Sequence, residues 1–259
     1  MALVDDWIAA LETRHRANLT SAEFLKAVRA LSARYVERRA GLADRSPLDS
    51  AGKRAAFAAY YAPLHFLTTR EAVRAVGAAR EDAIDRVVDL GCGTGAASAA
   101  WALEFARPLD ITGIDEAGWA LTEAAWTWRT LGLRAKTRRG DLVDATGRAC
   151  RARGADRAAF LFAWSVNELA PADRDELLDT LSTPPAASCT LLVIEPLARS
   201  AAPWWDAWVE ALRPSGAIAG EWHFDVALPP ALARIDEAAG FRRNHLGART
   251  LWRPPVTRP

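Results

Sequence analysis

The sequence carries almost no net charge. Its 33 Lys and Arg stand against 32 Asp and Glu, giving +1 over 259 residues, so no global positive field advertises a nucleic-acid partner. Lysine is nearly absent: Lys26, Lys53 and Lys136 are the only ones, and every other side-chain cation of fixed charge is arginine. With alanine so abundant this reads as a coding bias, and arginine clusters are discounted accordingly. Cysteine is scarce too. Cys92, Cys150 and Cys189 are odd in number and far apart, which gives neither a disulfide framework nor metal-ligand spacing and makes a reducing cytoplasm the expected location. No apolar run approaches a membrane span, and "MALVDDWIAALETR" has acids where a leader peptide needs positive charge. Apolar residues make up 51% of the chain, which excludes a disordered reading and is enough for a full core.

Two textures follow one another along the chain. Residues 1–83 read as a helical cap: Trp7, Ile8 and Leu11, then Phe24, Leu25, Val28 and Leu31, recur at helical spacing, with arginines opposite. "LADRSPLDSAG" interrupts the pattern before helix resumes through "KRAAFAAYYAPLHFLTTREAVRAVGAA". From residue 84 to 259, short apolar runs alternate with helices: "RVVDLG", "LDITGID", "RAKTRRGDL", "AAFLFAWSV" and "TLLVIEP". That alternation predicts an α/β fold, a Rossmann-like doubly wound and mostly parallel sheet. After Glu195 the chain reads as irregular and tryptophan-dense, then as a helix "ALARIDEAAGF", a closing strand near "RRNHLGARTLW" and a loose "PPVTRP" tail.

The chemistry concentrates in "VVDLGCGTG", residues 87–95. A strand–Gly–helix unit places a turn at the carboxyl end of the first strand, where open α/β sheets bind ligands. Gly91, Gly93 and Gly95 let a ligand approach bare backbone. The stretch "GCGTGA" can be forced onto the dinucleotide pattern through Gly91, Gly93 and Ala96, with Asp115 as the following acid. A phosphate, however, gains nothing from the carboxylate of Asp89. A ligand carrying an ammonium and a sulfonium does gain.

These residues resemble the first motif of class I S-adenosylmethionine-dependent methyltransferases. The resemblance implies that cofactor and that fold. It implies further that Asp115, ending "ITGID", bonds the ribose hydroxyls, and that Asp141 and Leu142 in "RRGDL" face the adenine. Tyr61, Cys92, Glu116 and Trp164 complete the implied cofactor contacts. In this fold the acceptor sits near the end of the fourth strand, so Asn167 is expected to orient it and Glu168 to act as a base, with His223 as a base from the variable region. Of the other candidates, Tyr60, Tyr61 and His65 are read as core or cofactor lid, and Glu195 as a site acid or a structural pairing. Trp204, Trp205 and Trp208 are read as acceptor wall or core, Trp101, Trp126 and Trp128 as core, and His15 as solvated. No metal is expected.

The segments "RAAFAAYYAPLHFLTTREAVRAV", "SVNELAPADRDELLDTL" and "LLVIEPLARSAAPWW" are also similar to the ribosomal small-subunit methyltransferase-like family. That likeness implies an RNA acceptor; the alternative acceptor is a small molecule, and neither DNA nor membrane is expected. The basic stretches 134–141 and 148–157 are candidate phosphate contacts, the second more simply a solvated helix face. Rival readings are a non-catalytic cofactor-binding ribosome-assembly factor, in which Asn167 and Glu168 are idle, and an NAD-dependent oxidoreductase. On the methyltransferase reading, Asp115→Ala weakens cofactor binding by roughly 1–3 kcal/mol in calorimetric titration and leaves the ligand-free fold nearly unchanged.

Overall fold

The alternation that begins at Arg86 builds a seven-stranded sheet among the described residues of the computed structural model, which are 2–37 and 48–256. The expected interruption at 42–52 falls largely outside them, as do the last three residues of the tail. Four α-helices come first: α1 (Ala2–Arg16), α2 (Ser21–Glu37), α3 (Ala51–Ala56) and α4 (Ala62–Ala75), the last two joined by a π-helical turn at Phe57–Tyr61. The start of α2 is sealed by reciprocal bonds, Thr20 N donating to Glu23 Oε2 at 2.9 Å and Glu23 N to Thr20 Oγ1 at 3.3 Å, a capping box.

The sheet unit then runs β1 (Arg86–Leu90), α5 (Ala96–Glu104), β2 (Asp110–Asp115), α6 (Gly118–Thr130), β3 (Arg134–Arg139), α7 (Leu142–Cys150) and β4 (Ala158–Ala163). It continues through α8 (Pro171–Ser182), β5 (Thr190–Glu195), α9 (Trp205–Leu212), β6 (Ile218–Asp225), α10 (Pro230–Ala239) and β7 (His245–Arg253). Strand order is β3-β2-β1-β4-β5-β7-β6. The first five strands pair in parallel, and β7 lies antiparallel between β5 and β6. The order reverses between β1 and β4, which opens a crevice at their carboxyl ends. This is the doubly wound, Rossmann-like architecture expected from the alternation.

Burial follows position. The central strand β5 is buried throughout as "TLLVIE", and the edge strand β3 is exposed throughout as "RAKTRR"; charge on an edge blocks strand addition. One apolar cluster covers the face packed by α1–α6 and α10, and a second covers the face of α7–α9. Cap residues such as Trp7 and Tyr60 share the first cluster with Val87 and Ile111 of the sheet. Trp7 meets Phe66 at 5.3 Å between ring centroids, and His15 with Arg14 clamps Glu123 of α6 at 3.0 and 2.9 Å. His15 is therefore paired, not solvated.

Two elements in the region read as irregular are regular: α9 and β6. Glycine, proline and exposed positions masked them, since β6 is an edge strand whose alternate residues are fully exposed. Trp205 and Trp208 are 4% and 1% exposed, inside the second cluster. Burial makes them core rather than an acceptor wall, and only Trp204 stays half-buried. Trp101 and Trp128 are buried as expected, and Trp126 packs at the margin of the first cluster. Trp205→Ala should therefore lower unfolding stability by about 3–5 kcal/mol, the cost of a large core truncation, measured by denaturant titration; an unchanged midpoint would put the ring outside the core.

Candidate functional site

The carboxyl end of β1 carries the site, and the end of β2 holds it in place. The carbonyl of Ile114 accepts the amides of both Gly91 and Cys92 at 2.9 Å. The carboxylate of Asp115 accepts Gly93 N at 2.9 Å through one oxygen and Ala117 N at 2.8 Å through the other. Gly95 N closes the turn on Cys92 O at 2.8 Å. The amides of Gly91, Cys92, Gly93 and Gly95 are thus all spent within the protein. Gly91 has φ +75°, and a Cβ there would stand 2.5 Å from that of Ser165. Gly93 has φ +51° and open space: the nearest atom to its ideal Cβ is Phe57 Cε1 at 3.9 Å.

Asp89 is completely buried, and neither carboxylate oxygen has a hydrogen-bond partner. Burial pushes its pKa up to about 7; nearby Ser98 pulls the other way and Asp115 adds to the rise. The Ser98 hydroxyl itself is turned to Gly95 O at 3.3 Å. A buried carboxyl without partners is costly unless a donor or cation arrives. Cys92 is buried, and desolvation raises its thiol well above the ordinary value, so it is no nucleophile.

The remaining expected cofactor residues line the same edge. Glu116 is exposed, its carbonyl accepting Arg139 Nε at 3.1 Å. Asp141 caps α7, accepting Asp144 N at 2.9 Å, with Leu142 half-buried beside it and against Gly91. Tyr61 turns its hydroxyl to Val28 O at 3.2 Å in the cap. Trp164 follows β4 with φ +57°, a conformation rare for a bulky residue and frequent at functional sites. Its amide bonds Ile194 O at 2.8 Å, and its ring stacks on His65 at 3.9 Å and 9°. His65 is half-buried, and desolvation lowers its pKa to about 3, leaving it neutral.

Beyond Trp164 the chain makes one short turn, Val166–Glu168. Asn167 N donates to Glu195 Oε1 at 3.1 Å, while Asn167 Oδ1, Ser165 Oγ and Glu195 Oε2 are buried without partners. Glu168 is exposed. Glu195 is completely buried; desolvation raises its pKa well above the carboxylate range, against which the Asn167 amide works. It is a pillar under the Asn167 loop. His223 is not brought to this loop: it is exposed on β6, where its ring lies 6.3 Å from that of His245. Part of the basic stretches is occupied: Arg134 pairs with Asp110 at 3.1 Å, Arg148 with Asp144 at 3.5 Å and Arg157 with Asp85 at 2.6 Å.

Sequence reading missed Phe57 and Trp119. Phe57 touches both His65 and Trp119 edge-on, at 5.8 and 6.3 Å, and overhangs Gly93. The signal was Trp119 four residues after Asp115, in the first turn of the next helix. Phe57 gave none, because only the π-helical turn brings it over the glycine turn.

No protein-family model and no curated protein matches the chain. Solved structures do resemble it. A candidate O-methyltransferase from Nostoc punctiforme is 15% identical over 92% of this chain and 72% of that one, with a TM-score of 0.52. An O-methyltransferase family protein from Burkholderia thailandensis is 14% identical over 95% and 76%, with a TM-score of 0.51. At these identities the likeness establishes the fold: the chain has the class I methyltransferase fold.

The structure revises the stability expectation for Asp115→Ala, since the carboxylate ties two amides of the turn and the following helix; the ligand-free fold loses stability too. For Asp89 the sign of the pH dependence is fixed. An acid whose folded pKa exceeds its unfolded value holds more protons when folded, so stability falls as pH rises from about 4 to about 7. Glu195 acts in the same direction. Subtracting the Asp89→Asn curve from the unmodified protein's curve isolates Asp89. The difference should slope downward across that window in ligand-free denaturation; a flat difference would mean Asp89 ionises normally.

Proposed function

We propose that the protein is a methyltransferase that binds S-adenosylmethionine across the glycine turn and methylates an acceptor held beyond β4. The buried, partnerless carboxyl of Asp89 carries this reading, because it fits a cationic ligand. The same carboxyl supports it against NAD, since a pyrophosphate gains nothing from a buried acid beneath the turn. When bound, S-adenosylmethionine supplies a methyl carbon already activated by a sulfonium. Asp89 would ionise on meeting the ligand's ammonium group, Asp115 has lone pairs left for the ribose hydroxyls, and Leu142 would flank the adenine with Asp141. Phe57 and Trp119 would close over the turn and exclude water.

The protein's remaining task is positioning. Asn167, propped by Glu195, would orient the acceptor through its side-chain carbonyl, and Glu168 would take a proton from an acceptor that must lose one. Among the described residues His223 has no contact with that loop; its ring neighbour is His245. An RNA acceptor is the second reading, favoured by the fully exposed β3 with Lys136 and Arg138; its counterpart is a cytoplasmic ribosome-associated role.

S-adenosylmethionine or its demethylated product should raise the melting temperature, since a ligand at 100 times its Kd adds about 2.7 kcal/mol, and NAD should not. A shift with NAD alone would overturn the reading. Asn167→Ala and Glu168→Ala should keep cofactor affinity while methyl transfer falls on the order of 100-fold. Tritiated-methyl transfer into fractionated RNA, protein and metabolites supplies the assay. Labelling of no fraction by the unmodified protein would favour a non-catalytic assembly factor.

A further inference from the structure

Beside Trp164, between α4 and the start of β7, lies a cleft of about 390 Å³ lined by His65, Thr68, Trp164, Arg242, Asn244 and His245 among others. We propose that this cleft is the acceptor subsite and that it selects a small aromatic acid, a planar ring bearing a carboxylate. The proposal rests on the methyltransferase reading for what happens to that ligand, but not for its binding.

Size comes first. A cleft of this volume lies within the range of small-molecule sites and encloses one ring with its substituents. Its floor is flat: the parallel His65–Trp164 stack presents an aromatic face, and ring stacking at such an offset plane is favourable. Trp164, held in a left-handed backbone, is half-buried: it packs at the margin of the first core cluster and also lines the cleft.

Charge comes second. No carboxylate lines the cleft. The nearest acid, Asp236, is consumed by Arg243 and Tyr60, with Arg243 Nη1 at 2.7 Å and Arg243 N at 2.6 Å. That ion pair neutralises Arg243 and leaves Arg242 as the cation at the mouth. Arg242 is exposed, makes no ion pair among the described residues, and is held at φ +50°, so its backbone is strained in a way only the surroundings sustain. Asn244 Oδ1 and His245 Nδ1 are bonded to each other at 2.8 Å, which engages the Asn244 oxygen and leaves its amide nitrogen as a second donor among the residues that line the cleft.

Connection to the turn comes third. His65 touches Phe57, and Phe57 overhangs Gly93. The glycine turn and the cleft thus lie on two sides of one aromatic wall, and Trp164 leads directly into Ser165 and Asn167. A ring resting on that wall sits next to the loop that must present the acceptor.

Calorimetric titration of the full chain with benzoate, salicylate and neutral benzamide, with and without S-adenosylhomocysteine, tests the proposal. The two carboxylates should bind, and benzamide about tenfold more weakly, the loss expected for one charge-assisted hydrogen bond. Arg242→Ala should weaken carboxylate binding by about the same factor and leave S-adenosylhomocysteine affinity unchanged. Arg242→Gly, which relaxes the left-handed backbone, should behave as Arg242→Ala does, and that separates lost charge from a disturbed loop. Carboxylate binding that is absent while S-adenosylhomocysteine binds, or that survives both Arg242 variants, overturns the proposal. Displacement of the carboxylates by a single-stranded RNA oligomer with higher affinity does so as well and favours the RNA reading. Arg242-dependent carboxylate binding in a protein that fails to bind S-adenosylhomocysteine upholds the cleft and removes the cofactor reading instead.

Discussion

The pinning of one strand end by another is the constraint on which the site depends. Ile114 and Asp115, the last two residues of β2, hold five loop and turn amides between them: Gly91, Cys92, Gly93, Ala117 and Gly140. This fixes the turn after β1 and the entry to α6 with the same two residues. It also fixes what the turn presents: bare Cα surface at Gly93 and one buried acid below, from which a phosphate gains nothing. Asp115 therefore serves the fold before it serves any ligand.

Three buried or half-buried carboxyls lie along one sheet edge, and the surroundings treat them differently. Asp115 is bonded by two amides. Glu195 has one amide and one idle oxygen; burial raises its pKa well above the ordinary value, and it supports the Asn167 loop from below. Asp89 has none. A cluster of like charges in low dielectric cannot all ionise, and the one left bare is the one that an incoming cation would charge. Electrostatic readiness and instability are here the same property.

The N-terminal helices are part of the site as much as of the core. A π-helical turn inserts one extra residue per turn and is frequent where function is. At Phe57–Tyr61 it aims Phe57 at the glycine turn, His65 one turn later at Trp164, and Tyr60 at the Asp236–Arg243 pair that shapes the neighbouring cleft. Cap and sheet share one hydrophobic cluster, so displacing the cap would open the site and the core together.

The sequence by itself determined the sheet and the turn. Short apolar runs leading to Asp89, Asp115 and Glu195, with glycine at alternate positions after the first, encode buried strands and a turn of positive φ, both local properties of the chain. Only the tertiary structure decided which side chains are spent and which are free. Trp205 and Trp208 could be stacking surface or core in the sequence, and α9 buries them; His223 is carried to the exposed edge strand β6. Phe57 and Arg242 had no distinguishing pattern, and Trp119 only its place in the first turn after Asp115. Phe57 meets Trp119, and Arg242 shares a cleft with Trp164, from elements far apart in sequence, and partners at that distance are set by packing and by the sheet's strand order, neither of which any local run of residues contains.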